Sequence, residues 1–284
     1  MQAKYLGILN ITPDSFSDGD ERYIDSAWLI KRAELLMQQG FHAIDVGAES
    51  TRPNASELSA DEEYGRLENF LKLFCSLYKF PLSIDTRKYE VMQEILSNKA
   101  FSENVCFLND VEAFTDERKI ELLRKYDTNQ RIKCIVMHSK GGIPPSLKST
   151  EISENFYLEE YPDFSCEEEA FRYDVFNFFS ERINSFKSFN IDESRIILDL
   201  GLGFGKNLKH SFTLIDFIPD LIQHFKTEIL IGASRKSFLK AAVEENYIKA
   251  ASDASTQSLD EATRKYNLKC LEAGATLFRV HDKR

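Results

Sequence analysis

Three residues with flat polar head groups stand at the ends of short apolar runs. Asp85 follows PLSI (81–84), Asn109 follows VCFL (105–108), and Asp199 lies near the end of RIILDL (195–200). A carboxylate is costly to bury unless it accepts hydrogen bonds. Two carboxylates and an amide brought together could read a flat heterocycle through its N–H donors. Each one alone fits a structural salt bridge or a turn equally well. A paired-acid glycosidase is the other chemistry open to Asp85 and Asp199. A second set is cationic: Arg52, Arg235, Lys236, Arg279 and His281. In an acidic chain, cations gathered at one mouth point to an anionic substrate or leaving group. They weigh for transfer from an anion over sugar hydrolysis. Lys236 and Arg279 are expected to contact ligand. For Arg235, a salt bridge to a neighbouring acid stands level with ligand contact.

The stretch LDLGLGFGKN (198–207) imitates a phosphate loop without being one. A P-loop needs two glycines four residues apart, then Lys and Ser or Thr. Here Leu200 stands five positions before Gly205, and Asn207 follows Lys206. The spacing of Gly201, Gly203 and Gly205 also fails the dinucleotide fingerprint by one position. The glycines therefore do not wrap a nucleotide phosphate, and the stretch puts Asp199 near the end of its run. Lys206 is expected to be structural rather than a phosphate ligand.

These residues need a scaffold that gathers strand ends. Eight short apolar runs supply it: YLGIL (5–9), AIDV (43–46), PLSI (81–84), VCFL (105–108), IKCIVM (132–137), RIILDL (195–200), EILIGA (228–233) and TLFRV (276–280). Runs of this length, rich in Ile, Leu and Val, suit buried parallel strands. Helical stripes lie between them. Leu29, Ile30, Ala33, Leu36 and Met37 share one face, and Gly40 marks a stop. Leu67, Phe70, Leu71, Phe74, Leu77 and Tyr78 form a second stripe behind a Ser59–Glu62 capping box. Phe171, Val175, Phe178, Phe179 and Phe186 form a third. The alternation predicts a single α/β domain over 1–284, a (β/α)8 TIM barrel, with a doubly wound open sheet as the alternative. In a barrel all the polar strand ends meet on one face, among them Asn10 and His138 after the first and fifth runs. The chain stops soon after the eighth run, so the final outer helix is expected to be truncated or missing. The flank of the first and eighth strands would then be exposed or covered by a partner, and a homodimer is one possibility.

Composition narrows the function classes. Net charge is −10, which argues against a general nucleic-acid binder. Residues 151–169 carry eight acids and no Lys or Arg, read as a solvated loop and helix entrance. The five cysteines are dispersed, with no C-x-x-C, which reads as reduced thiols in a cytoplasmic protein. No secretory signal, membrane span or zinc-ligand pattern is visible.

The ordered blocks resemble dihydropteroate synthase. They are GILNITPDSFSDG (7–19), DVGAESTRP (45–53), SIDT (83–86), LND (108–110), DLGLGFGKN (199–207), ASRKSFL (233–239) and RVHD (279–282). Each is weak alone, but seven in order across residues 5–282 are highly specific. The resemblance implies a pterin-binding barrel that condenses a 7,8-dihydropterin-6-ylmethyl diphosphate with 4-aminobenzoate in folate synthesis, releasing pyrophosphate with Mg²⁺. It implies that Asp85, Asn109, Asp199, Phe204 and Lys236 hold the pterin. Asn10 would ligate Mg²⁺. Thr51, Arg52, Arg279 and His281 would bind phosphate groups or the anion, and Phe16, Thr51, Pro53 and Ser234 would form the aminobenzoate side. Asp85, Lys236, Arg279 and His281 would carry catalysis.

The same family implies a sulfonamide target. LND followed by Phe114, and VMHS, resemble its insensitive branch, whereas TPDSFSDG and STRP keep the ordinary form. Leu200 stands where Pro is usual, EAF (112–114) follows Asn109 and Asp110 where Ser-Gly is common, and Asn54 stands where Gly is common. Two rivals share parts of the pattern. A methyltetrahydrofolate:corrinoid methyltransferase would need neither STRP nor SRKS, and a non-catalytic barrel would only bind pterin or a partner.

Overall fold

The computed structural model describes residues 2–12, 26–50, 57–140, 151–249 and 256–283. Eight parallel strands close into one barrel in sequence order. The chain runs β1 (Lys4–Asn10), α1 (Ser26–Gln38), β2 (Ala43–Gly47), α2 (Ala60–Leu77), β3 (Leu82–Asp85), α3 (Tyr89–Ser97) and α4 (Lys99–Ser102). It continues through β4 (Val105–Asp110), α5 (Arg118–Tyr126), β5 (Lys133–Met137), α6 (Glu167–Ser188), β6 (Ile196–Asp199), α7 (Leu208–Phe225), β7 (Glu228–Ile231), α8 (Phe238–Glu244), α9 (Thr256–Glu272) and β8 (Leu277–Val280). All eight predicted runs are strands, and the open-sheet alternative is excluded by the pairing of β1 with β8.

The local signals act as the sequence reading expects. Ser59 accepts from the Glu62 backbone, and the Glu62 carboxylate accepts from the Ser59 backbone at 2.9 Å, closing the capping box of α2. Gly40 turns the chain out of α1 with φ +74°. The α2 stripe is buried except at its end, where Leu77 is exposed and Tyr78 is half-buried. Pro81 falls just before β3 rather than inside it, and its carbonyl accepts from Ile44 N at 3.1 Å.

Strand alternation builds the barrel interior in layers. Leu6, Ala43, Ile135, Ile197, Leu230 and Leu277 come from six strands and pack as one buried apolar cluster, with Phe107 against it. This is the floor of the barrel. Side chains two residues further along each strand point the same way. They are Ile8, Asp45, Asn109, Met137, Asp199 and Arg279, and Asp85 joins them on β3. The apolar floor is thus capped by a layer that is mostly polar. A much larger apolar cluster lies between the strands and the outer helices. The fold contributes an apolar base and sets this polar layer at the C-terminal strand ends.

The described residues after β8, 281–283, are not helical. On that flank Lys283 lies 4.8 Å from the ring centroids of both Tyr5 and Phe41 and donates to the Gly40 carbonyl. Beside it a groove of about 430 Å³ is lined by Tyr5, Leu268, Leu271 and Phe278 among others. Among the described residues no helix is long and apolar enough to cross a membrane.

Candidate active site

Asp85 and Asn109 are adjacent in the register of β3 and β4, and Asp199 pairs with Met137 across β5 and β6. Asp199 Oδ1 accepts from Gly201 N at 2.8 Å, which orients the carboxylate at the root of its loop. Asn109 Nδ2 donates to Asp45 Oδ1 at 3.4 Å. Burial raises the Asp85 pKa against the pull of Arg279, and the charges of Asp45, Glu63 and Asp199 push the same way. Burial likewise raises Asp199, against Lys236 and the Gly201 bond. Three carboxylates thus crowd one mouth, a charge balance suited to a ligand that brings N–H donors or positive charge.

Val111, Met137 and Phe204 form a small separate apolar cluster. It supplies a greasy wall beside the polar layer, the mixture a flat heteroaromatic ring requires. Lys236 is half-buried, its Nζ lies 4.8 Å from the Phe204 ring centroid, and it donates to the Leu202 carbonyl. Enclosure pushes its ammonium down to about 8, although Asp199 and Asp85 favour the charged form. The five residues expected to form one ring-binding set are therefore brought together.

The cations sort differently from one another. Arg279 Nη2 donates to Asp85 Oδ2 at 2.5 Å, and its Nε donates to Asp45 Oδ2. Burial opposes its charge, but Asp45 and Asp85 hold its pKa above the ordinary arginine value. The sequence reading favoured ligand contact for Arg279 over pairing with a neighbouring acid; here it bridges two carboxylates with its side chain still 21% exposed. Arg235 resolves to the structural alternative, with Nε and Nη2 on the two oxygens of Asp260 at 2.7 and 2.9 Å. His281 departs from the cationic set. Burial, then the charges of Arg235 and Arg279, push its imidazole down to about 3, so it is neutral near pH 7. Its Nδ1 is 2.9 Å from Ser234 Oγ, which also accepts from His281 N at 3.2 Å. The ring and the backbone N–H of His281 thus both hold the Ser234 hydroxyl.

Asp110, in the LND block, is not part of the mouth. It is fully buried, bonds Lys119 Nζ at 2.9 Å and caps the following turn through Glu112 N and Phe114 N. Lys206 is also buried and meets protein acceptors, as expected. Phe16, Thr51, Arg52 and Pro53 lie outside the described residues. The two sides of residues 51–56 are nevertheless tied together. Arg87 donates to Glu49 at 2.8 Å and to Glu57 at 2.5 Å, and Lys88 donates to Glu49 at 2.6 Å.

Asn10 ends β1 and is half-buried. Among the described residues no three His, Cys, Asp or Glu side chains gather as a metal cage. Among the described residues Asn10 offers one neutral oxygen at the end of β1 to a cation that also takes substrate or water oxygens. That donor set suits Mg²⁺, which favours phosphate oxygens and retains water.

Sequence reasoning missed Asp45, Val111 and Met137. Asp45 had a legible signal: an acid inside the apolar run AIDV, in alternation with inward-facing Ala43. Val111 and Met137 look like ordinary core residues, and only the barrel's closure sets them beside Phe204.

A model of the family described as pterin binding enzyme matches residues 6–281. The dihydropteroate synthase of Neisseria meningitidis serogroup C is 32% identical over 280 residues, covering 98% of this chain and 87% of that protein. Among solved structures, the dihydropteroate synthase of Clostridium difficile with pteroic acid superposes with a TM-score of 0.76 at 28% identity, over 99% of this chain and 91% of that one. The Xanthomonas albilineans enzyme with 4-aminobenzoic acid has a TM-score of 0.76 at 26% identity, over 99% and 88% of the two chains. With the closed barrel, its polar mouth and these similarities in agreement over almost the whole length, the chain belongs to the pterin-binding enzymes, and within them to the dihydropteroate synthases.

Proposed function

We propose that this transferase, working as one barrel domain over 1–284, joins a 7,8-dihydropterin-6-ylmethyl diphosphate to 4-aminobenzoate, giving 7,8-dihydropteroate and pyrophosphate in folate synthesis. The observation that carries this reading is the convergence of Asp85, Asn109, Asp199 and Lys236 beside Phe204 at one barrel mouth. The carboxylates and Asn109 accept from and donate to the edge of the pterin ring, while Val111, Met137 and Phe204 cover its apolar surface. As the methylene C–O bond breaks, its electron pair leaves with diphosphate and positive charge spreads over the pterin. Asp85 faces that charge and stabilises it electrostatically. The aminobenzoate nitrogen then forms the C–N bond and releases a proton.

Arg279, Thr51 and Arg52 attract phosphate groups or the aminobenzoate carboxylate, and Phe16, Pro53 and Ser234 complete the aminobenzoate side. His281 joins this set as a neutral ring that holds Ser234, so its phosphate contact would be a hydrogen bond rather than an ion pair. Asn10 would hold Mg²⁺ together with diphosphate oxygens, and that cation would neutralise leaving-group charge. No activated nucleophile enters the scheme, so no covalent enzyme intermediate forms. A cytoplasmic homodimer belongs to the same reading; five free thiols, three of them buried, support the reducing compartment.

The deciding experiment supplies purified protein with Mg²⁺, the pterin diphosphate and labelled 4-aminobenzoate. Labelled dihydropteroate and stoichiometric pyrophosphate are expected. Folded protein that makes neither product would end this reading.

A further inference from the structure

Lys206, just after the turn that follows β6, is fully buried. Burial pushes the Lys206 amine down to about 7, against the pull of Asp174 and Asp199; in its protonated form it carries three donors and no acceptor. Three acceptors surround it: His138 Nδ1 at 2.7 Å, the His138 carbonyl at 3.2 Å and the Phe204 carbonyl at 3.1 Å. His138 Nδ1 must accept, so the imidazole proton sits on Nε2, where Asp174 Oδ2 takes it at 2.9 Å. Burial, then the Lys206 charge, push His138 down to about 4, consistent with this neutral tautomer. Asp174 Oδ1 is held in turn by Lys140 Nζ at 2.5 Å and Tyr161 Oη at 2.7 Å. One chain of hydrogen bonds therefore runs from α6, through the end of β5, to the backbone of Phe204.

The loop it grips is pressed flat against the end of β5. Gly201 has φ +60°, and a Cβ there would lie 1.8 Å from the His138 carbonyl oxygen. Gly205 has φ +67°, and its Cβ would lie 2.5 Å from the Lys140 carbonyl oxygen. Only glycine tolerates both the left-handed backbone and the approach. The same short loop carries Phe204 and also the Leu202 carbonyl that accepts from Lys236. Two contributors to the ring-binding mouth thus hang from one segment, and Lys206 ties that segment to β5.

We propose that Lys206 is a positioning residue for the pterin half of the site. Through the Phe204 carbonyl and His138 it sets the apolar wall and the Lys236 ammonium that together receive the ring. It contributes nothing directly to the aminobenzoate side. The identity of the ring rests on the pterin-transfer reading above; the positioning geometry does not.

The test is Lys206→Met, which keeps the stem and removes all three donors. Two measurements are made: steady-state kinetics with each substrate varied, and calorimetric titration with 6-hydroxymethylpterin monophosphate. KM for the pterin diphosphate and Kd for the probe should rise roughly 10- to 100-fold, the scale of a sub-ångström to ångström misplacement. KM for 4-aminobenzoate should stay within about twofold, and the circular dichroism spectrum should be unchanged. A folded variant with unaltered pterin KM and Kd overturns the proposal. So does an equal loss for both substrates, which marks a general structural role. Should Lys206→Met fail to fold, Asp174→Asn decides. It leaves Lys206 in place but loosens His138, and a smaller rise confined to pterin binding is expected; an unchanged probe Kd overturns the idea. A wild-type protein that binds the probe without turning over would count against the reaction, while the binding arm still judges Lys206.

Discussion

Arg279 Nη2 donates to Asp85 Oδ2 at 2.5 Å, joining the last strand of the barrel to the third across its mouth. The guanidinium also reaches Asp45, so one fixed cation serves two buried or half-buried acids. This pairing keeps Asp85 from facing Asp45 unscreened, and leaves it available to a developing positive charge.

Asp85→Asn removes the charge and keeps the shape. Loss of a preorganised electrostatic contact to a charge that develops in the transition state costs about 10²–10³ in kcat. A fall of that order in kcat is expected, with folding intact. A kcat within threefold of wild type, measured with both substrates saturating, would remove Asp85 from the chemical step.

Asp45→Asn tests the residue that sequence reasoning missed. It frees Arg279 on one side while Asn109 retains a nearby acceptor. We expect kcat/KM for the pterin substrate to drop roughly tenfold through misplacement of Arg279 and Asp85. Steady-state kinetics beside a thermal melt would check it, and an unchanged kcat/KM would show that Asp85 alone orients the guanidinium.

Lys236 gives a pH dependence with a definite sign. Its amine is pushed down to about 8 in the folded protein. Binding of the pterin diphosphate to the free enzyme should therefore weaken as pH rises through about 8, seen as an alkaline limb in kcat/KM. The stability effect runs the other way. Between about 8 and the ordinary lysine value the unfolded chain holds a proton that the folded chain has released. Stability thus rises with pH across that window, and the contribution is lost as pH falls towards about 8. Lys236→Ala should lose most activity and be no less stable than wild type at pH 7. A large loss of folding would instead make Lys236 structural.

The foot of the barrel offers a prediction independent of function. Asp127 Oδ2 accepts from Arg195 Nη2 at 2.6 Å and from Ile132 N at 2.8 Å, and both charged side chains are almost fully buried. Asp127→Ala strands a buried guanidinium, a loss of about 3–5 kcal/mol. Urea unfolding should register it, with kcat/KM preserved in whatever fraction stays folded.

The sequence by itself determined the alternation of strands and helices, because apolar runs and amphipathic stripes report local burial. It also located Asp85, Asn109 and Asp199, because a polar residue closing an apolar run is visible without partners, and it removed Lys206 from the phosphate ligands, because loop spacing is local. Tertiary structure alone decided the rest. Arg279 and Asp85 stand 194 positions apart, and no local pattern reports that they share a bond. The neutral state of His281 depends on burial and on Arg235 and Arg279 converging there. Arg235 found Asp260 rather than ligand. Lys206 acquired its proposed role only when closure of the barrel set the carbonyls of residues 138 and 204 around one amine. Charge state and pairing are properties of three-dimensional neighbourhoods, and those are fixed by strand register, not by spacing along the chain.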